Sequence, residues 1–126
     1  MLVTDDDFSL TKVLRANLEQ GNFRVLEANN GIDCIRAVNS ERVDMVFLDV
    51  MLPDFSGWGI LGLLRLTESL RHIPVILSSG DPPDRKLIQL FKPDEFLQKP
   101  FDIMEFVGKV RALSVMIRGH ARSCAV

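Results

Sequence analysis

The sequence predicts an α/β fold, a doubly wound parallel sheet with helices on both faces. Two observations carry the prediction. Five short apolar runs alternate with five segments of helical periodicity, and strands alternating with helices of this length form parallel sheets. With 126 residues, 47% of them hydrophobic, the chain suits one domain of ordinary size with a real core. Connections between successive strands are expected to be right-handed.

Leu2 and Val3 open the first strand and run into an acidic cluster, Asp5, Asp6 and Asp7. Leu10, Val13, Leu14 and Leu18 share one helix face, with Ser9 or Asp7 as the cap and Gly21-Asn22 as the stop. FRVLEA (23–28) reads as a strand and NNG (29–31) as a turn. Ile32, Ile35 and Val38 mark a second helix ending near Ser40. DMVFLD (44–49) is an apolar strand that finishes on a carboxylate, Asp49. A third helix begins at Gly57, carries Ile60, Leu61 and Leu64, and closes near Arg71, with Gly59 and Gly62 weakening it locally. IPVILSS (73–79) is a fourth strand and GDPPD (80–84) a loop whose Pro83 suits a helix start. Leu87, Ile88 and Phe91 indicate a brief helix cut off by Pro93. EFLQK (95–99) is the last strand. Ile103, Phe106, Val107, Val110, Leu113 and Ile117 form a long amphipathic helix. The domain is expected over 1–118, with 119–126 a frayed tail.

Composition excludes several classes. Net charge is −2 and no basic stripe exists, which argues against direct nucleic-acid binding. No apolar stretch reaches about 18 residues, so no membrane span is expected, and the first residues lack a signal peptide. Cys34 and Cys124 have neither metal nor redox spacing and read as idle thiols of a reducing, cytoplasmic compartment. His72 and His120 read as surface residues, and Trp58 as packing at a helix start that doubles as a fluorescence reporter.

The chemistry follows from the strand ends. Ligands of such sheets bind outside the carboxyl ends of the strands, where strand order reverses. There the sequence places Asp5 and Asp6, Asp49, the pair Ser78-Ser79, and Lys99-Pro100. Singly, a strand-end aspartate is a turn or cap residue. Together, three carboxylates repel one another and call for a cation. Ligands that are all oxygen favour a hard ion, and a site shared with phosphate favours magnesium. Lys99 supplies a fixed charge for a phosphoryl oxygen. A carboxylate beside magnesium and lysine can act as a nucleophile on phosphorus. Ser78 is expected to face away from Ser79, since successive strand side chains alternate.

LVTDDD (2–7), FLDVMLPDFSG (47–57), PVILSSG (74–80) and FLQKPF (96–101), in this order and spacing, resemble the receiver domain of bacterial two-component response regulators. The resemblance covers about residues 1 to 118. It implies a flavodoxin-like (βα)5 fold with strand order 2-1-3-4-5. It implies that Asp49 is the phosphoacceptor, that Asp6 ligates Mg2+ directly and Asp5 through water, and that the backbone carbonyl of Met51 is a further ligand. It assigns Ser79 as the hydroxyl that meets the phosphoryl group, Lys99 as the catalytic lysine and Phe96 as the switch aromatic, and it implies a cis Lys99–Pro100 bond. Asp7 matches the variable neighbour of the acidic pair. Asp81, two residues past Ser79, lies where the family tunes hydrolysis. The partners implied are a sensor histidine kinase or phosphotransfer protein and a downstream protein or domain, with homodimers common in the family. No enzymatic activity is implied beyond the domain's own phosphorylation and dephosphorylation.

The sequence departs from the family's pattern at Phe96, which lacks the usual tyrosine hydroxyl, and in DPPDRKLIQLFKPDE (81–95), where the fourth helix is short. A magnesium-dependent phosphatase on the same fold is the alternative, but a dehalogenase-type site needs an acid at position 51, where this chain has Met51. A flavin carrier is disfavoured by the three negative charges of TDDDFS (4–9). A receiver-like module that works without phosphorylation is disfavoured by the intact acid set.

Overall fold

The structure, a computed structural model, describes the backbone of residues 1–124 and the side chains of residues 1–117. Ten elements alternate along the chain: β1 (Leu2–Thr4), α1 (Phe8–Gln20), β2 (Leu26–Ala28), α2 (Gly31–Ser40), β3 (Val46–Asp49), α3 (Gly57–Leu66), β4 (Val75–Ser79), α4 (Arg85–Phe91), β5 (Glu95–Gln98) and α5 (Ile103–Cys124). The strands form one parallel sheet in the order β2-β1-β3-β4-β5, the expected order. Register pairs Leu48 with Thr4 and Asp49 with Ser78, so the acidic ends of β1 and β3 lie side by side at the carboxyl edge.

Alternation along the strands sorts the core into two layers. Leu2, Val46, Leu48, Val75 and Leu77 pack with Cys34 and Val38 of α2 and Ile60, Leu61 and Leu64 of α3. Val3, Phe47, Ile76 and Leu97 pack with Leu14 and Leu18 of α1 and Phe106, Val110 and Leu113 of α5. Phe47 meets Phe106 edge-on, with ring centroids 5.5 Å apart at 87°, the favoured geometry for an aromatic pair.

Helix ends follow their local chemistry. The Asp7 side chain caps α1 by accepting from the N–H groups of Ser9 and Leu10. At the other end Gly21 is the cap, but Asn22 takes the left-handed conformation, with φ 67°. α3 stops at Leu66, five residues short of the expected Arg71. Thr67 leaves the helix in extended conformation while its hydroxyl donates to the Leu63 carbonyl, an alternative the β-branched residue offers the backbone. The segment after it forms a turn, in which the Leu70 and Arg71 N–H groups both donate to the Thr67 carbonyl. β2 is also shorter than expected and starts at Leu26, because the chain first turns through Asn22 and ties the Phe23 N–H to the Leu18 carbonyl. α5 continues to Cys124, past the expected end of the domain at 118. GHARSC (119–124) contains no proline and includes residues that favour helix. The last two residues of the expected frayed tail, and the side chains of His120 and Cys124, lie outside what the structure describes.

α4 is short, as expected. Seven residues long, it buries none of them fully. Of its residues Phe91 packs against the core, its ring 5.9 Å from that of Trp58. Gly62 makes this possible, since a Cβ there would stand 2.8 Å from the Phe91 ring. Lys92 closes α4 in the left-handed region, with φ 53°.

Arg65 fixes the far side of this segment. Its guanidinium donates to the carbonyls of Arg71, Ile73 and Lys92 and to the Asp94 carboxylate, the last at 2.8 Å. Asp94 in turn accepts from the Val75 N–H at 2.8 Å.

Candidate functional site

Asp5, Asp6 and Asp49 come together at the carboxyl edge of the sheet, each with a carboxylate oxygen within 4.8 Å of the others. They share a depression of ≈ 510 Å³ with Asp7, Met51, Leu52, Pro53, Gly80 and Lys99. The sequence explains the convergence. β1 and β3 are adjacent and in register; β3 ends on Asp49, and Asp5 directly follows the last residue of β1. β5 lies beyond β4, but Lys99 follows its last residue and reaches back across the edge.

Asp5 is fully buried and Asp49 is 3% exposed, whereas Asp6 is exposed. The Lys99 ammonium donates to Asp5 Oδ2 at 2.7 Å and stands 3.3 Å from Asp49 Oδ2. Asp5 Oδ1 accepts from the Asp7 N–H at 2.9 Å, and Asp49 Oδ1 from the Met51 N–H at 3.2 Å. Burial raises the Asp49 pKa, and the nearby Asp5 charge raises it further. Lys99 and the Met51 N–H oppose the rise without cancelling it. Burial alone would lower the Lys99 pKa, but its hydrogen bond to Asp5 and the charges of Asp5 and Asp49 outweigh that and raise it. Lys99 therefore stays charged at neutral pH. One ammonium faces three carboxylates, so the cluster retains an excess of negative charge.

That excess suits a divalent cation. An octahedral ion with oxygen ligands at about 2.0–2.1 Å needs oxygens ~3 to ~4 Å apart, and the three carboxylates each offer one within 4.8 Å of the others. The donors are all carboxylate oxygens, which is the chemistry of a hard ion.

The loop after β3 is built to hold this edge. Gly57 donates its N–H to the Val50 carbonyl at 2.9 Å, and Met51 bridges antiparallel to Ser56. A Cβ on Gly57 would collide with the Asp49 carbonyl and lie 2.7 Å from Val50 Cα. Glycine is required here for space rather than for a special φ. Asp54 reaches from the loop tip to α2 and accepts from the N–H groups of Gly31 at 2.7 Å and Ile32 at 3.0 Å. In the sequence Gly57 reads only as the start of the third helix and no role is assigned to Asp54, so these roles were missed. The signal was the glycine following directly on a strand-loop segment.

Two expected site residues stand outside the depression. Ser79 is buried at the end of β4, and its hydroxyl accepts from the Asp81 N–H at 3.1 Å. Phe96 is half-buried and packs with the α2–α3 layer of the core. Ser78 pairs in register with Asp49, and its hydroxyl is buried without a hydrogen-bond partner among the described residues. The Lys99–Pro100 peptide is cis. His72 is exposed and Cys34 is buried and free. No helix of the described residues is long and apolar enough to cross a membrane.

Comparison with known proteins agrees with this geometry. The transcriptional regulatory protein CpxR of Klebsiella pneumoniae is 36% identical over 122 residues, covering 95% of this chain and 50% of that protein. The receiver domain of the Francisella response regulator 1452 superposes with a TM-score of 0.80 at 27% identity, covering 89% of this chain and 93% of that one. The signal receiver domain of a histidine kinase from Syntrophus aciditrophicus also gives 0.80, at 26% identity, covering 89% and 86%. The chain spans about half the length of the curated relatives it matches. The model of the response regulator receiver domain family matches residues 1–111, and the chain belongs to that family.

Proposed function

We propose that the domain is a phosphorylation switch whose acceptor is Asp49. The observation that carries this reading is the setting of that carboxylate. It is nearly buried, closes a strand, and stands beside the Lys99 ammonium and two further acids in an open depression. A sensor histidine kinase or phosphotransfer protein presents phosphohistidine. An Asp49 carboxylate oxygen attacks the phosphorus in line. The N–P bond breaks, its electron pair leaves with the imidazole, which takes a proton from solvent, and an O–P bond to Asp49 forms. Asp6 and Asp49 and the Met51 carbonyl would hold Mg2+, with Asp5 acting through water. When bound, the ion neutralises charge on the transferring phosphoryl oxygens.

The remaining steps belong to the chain's own residues. Lys99 keeps its 2.7 Å contact with Asp5 and turns its remaining N–H groups to a phosphoryl oxygen. The Ser79 hydroxyl leaves the Asp81 N–H for the phosphoryl group, and Phe96 follows the loop. This shifts population between two conformations and alters the surface offered to a downstream protein or domain. The domain is read as cytoplasmic, and as no enzyme beyond this self-modification. It makes no direct nucleic-acid contact. The DNA-binding regulators among its relatives, such as RpaA of Synechocystis, are about twice the length matched here. Titration with a small acyl-phosphate donor tests the reading through Trp58 fluorescence. A change that needs Mg2+ and is lost in Asp49→Asn supports it. A change that persists in Asp49→Asn contradicts it.

A further inference from the structure

We infer that Asp54 is a positioning residue for the cation site, acting through the loop that carries Met51. The inference rests on the reading of Met51 as a backbone ligand. That loop has two ends and a tip. Its ends are fixed at β3, where the Met51 N–H donates to Asp49 and Gly57 closes onto Val50. The Met51 carbonyl accepts no hydrogen bond among the described residues and is free to ligate. Leu52 packs on the core just past Met51, and Asp54 ties the tip beyond it to α2. Asp54 Oδ1 accepts from Gly31 at 2.7 Å and from Phe55 at 2.9 Å, and its Oδ2 accepts from Ile32 at 3.0 Å.

Gly31 and Ile32 are the first two residues of α2, whose N–H groups have no partner within the helix. Asn30 caps the same helix by accepting from Asp33, so Asp54 completes the end rather than duplicating the cap. Gly31 makes room for the contact, since a Cβ there would stand 2.9 Å from the Phe55 ring and 3.1 Å from Asp54 Oδ1. Desolvation raises the Asp54 pKa, but the N–H groups of Gly31, Ile32 and Phe55, with its own N–H, together outweigh it and hold the carboxyl below its ordinary value. The tip is thus moored to a helix that itself packs on the sheet through Cys34 and Val38. Without the mooring, the segment that carries Met51 is held less firmly and its carbonyl is a weaker ligand.

The test is titration with MgCl2 alone, followed calorimetrically, on the wild type, Asp54→Ala and Asp54→Asn. Residues supporting a metal ligand directly are worth about 10–100-fold in affinity. Asp54 acts one step further out, so Asp54→Ala is expected to weaken Mg2+ binding about three- to tenfold. Asp54→Asn keeps one acceptor and falls between. Phosphoryl uptake, where it occurs, slows in Asp54→Ala at low Mg2+ and recovers the wild-type rate at saturating Mg2+. A merely structural role would lower Tm while leaving the Mg2+ affinity of the folded protein unchanged. Unchanged Mg2+ affinity in both variants overturns the inference and leaves the reading of the site intact. A wild type that binds no Mg2+ overturns both.

Discussion

Gly57 and Gly59 lie two residues apart on α3, yet replacing each by alanine should move stability in opposite directions. At Gly59 a Cβ would meet nothing within 4 Å. Alanine there gains helix propensity, about 0.5–1 kcal/mol. At Gly57 the same methyl group would lie 2.7 Å from Val50 Cα and 2.9 Å from the Asp49 carbonyl carbon. Those neighbours are backbone atoms at and just past the end of β3 and cannot rotate aside. Overpacking of this kind costs about 1–3 kcal/mol, against a propensity gain below about 1 kcal/mol at a first helical position. The net loss for Gly57→Ala is about 1–2 kcal/mol, or a fall in Tm of about 4–8 °C for a domain of this size. Urea denaturation followed by far-UV circular dichroism measures both. Gly57→Ala should also disturb the site by pushing Asp49 off Lys99. A Gly57→Ala protein as stable as the wild type would refute the packing of α3 onto the Asp49 backbone. A destabilised Gly59→Ala would show that the outer face of α3 is covered in solution.

Other consequences follow from the same geometry. Asp49 has its folded-state pKa raised by burial and by Asp5. The folded protein therefore binds that proton more tightly than the unfolded chain, and stability falls as pH rises through the carboxylate range. Asp49→Asn should then be more stable than the wild type at pH 7 without divalent ions, and the gain should vanish below about pH 4; a constant difference across this range would contradict the assignment. Arg65→Ala removes bonds to three carbonyls and Asp94 at a site only 22% exposed. Its cost should be about 2 kcal/mol by denaturation, with Arg65→Lys recovering only part because the planar fork is lost. Phe91→Ala should speed hydrogen exchange of the α4 amides at least tenfold with little change in the sheet, since Phe91 is the helix's contact with the core; unchanged α4 exchange would mean that other contacts hold it.

The sheet and its active edge were legible because each rests on local patterns that tertiary packing left alone. The apolar runs of β1, β3 and β4 are buried; Asp49 ends β3, and Asp5 directly follows the last residue of β1. Lys99 was found although it is 94 residues from its partner Asp5, because strand order brings their ends together. The end of α3 was misread because Leu70 and Ile73 continue an apolar pattern that belongs to a turn packed on the core. Gly62 was read as a weakness of α3, but the space it leaves is filled by Phe91. Arg65 and Asp54 were invisible for a common reason. Apart from Asp94, which pairs with Arg65 across 29 residues, their partners are backbone groups brought near by folding, and backbone groups leave no trace in residue types. Ser79 is found at the expected strand end, but its present bond to Asp81 depends on loop conformation rather than on spacing.

The most direct test of the switch is the intact mass of the protein after incubation with an acyl-phosphate donor, with and without Mg2+, beside Asp49→Ala. The account predicts the gain of one phosphoryl group, about 80 Da, in the wild type with Mg2+ only, and none in the variant. A gain of the same size in Asp49→Ala, or in the absence of a divalent ion, would contradict it.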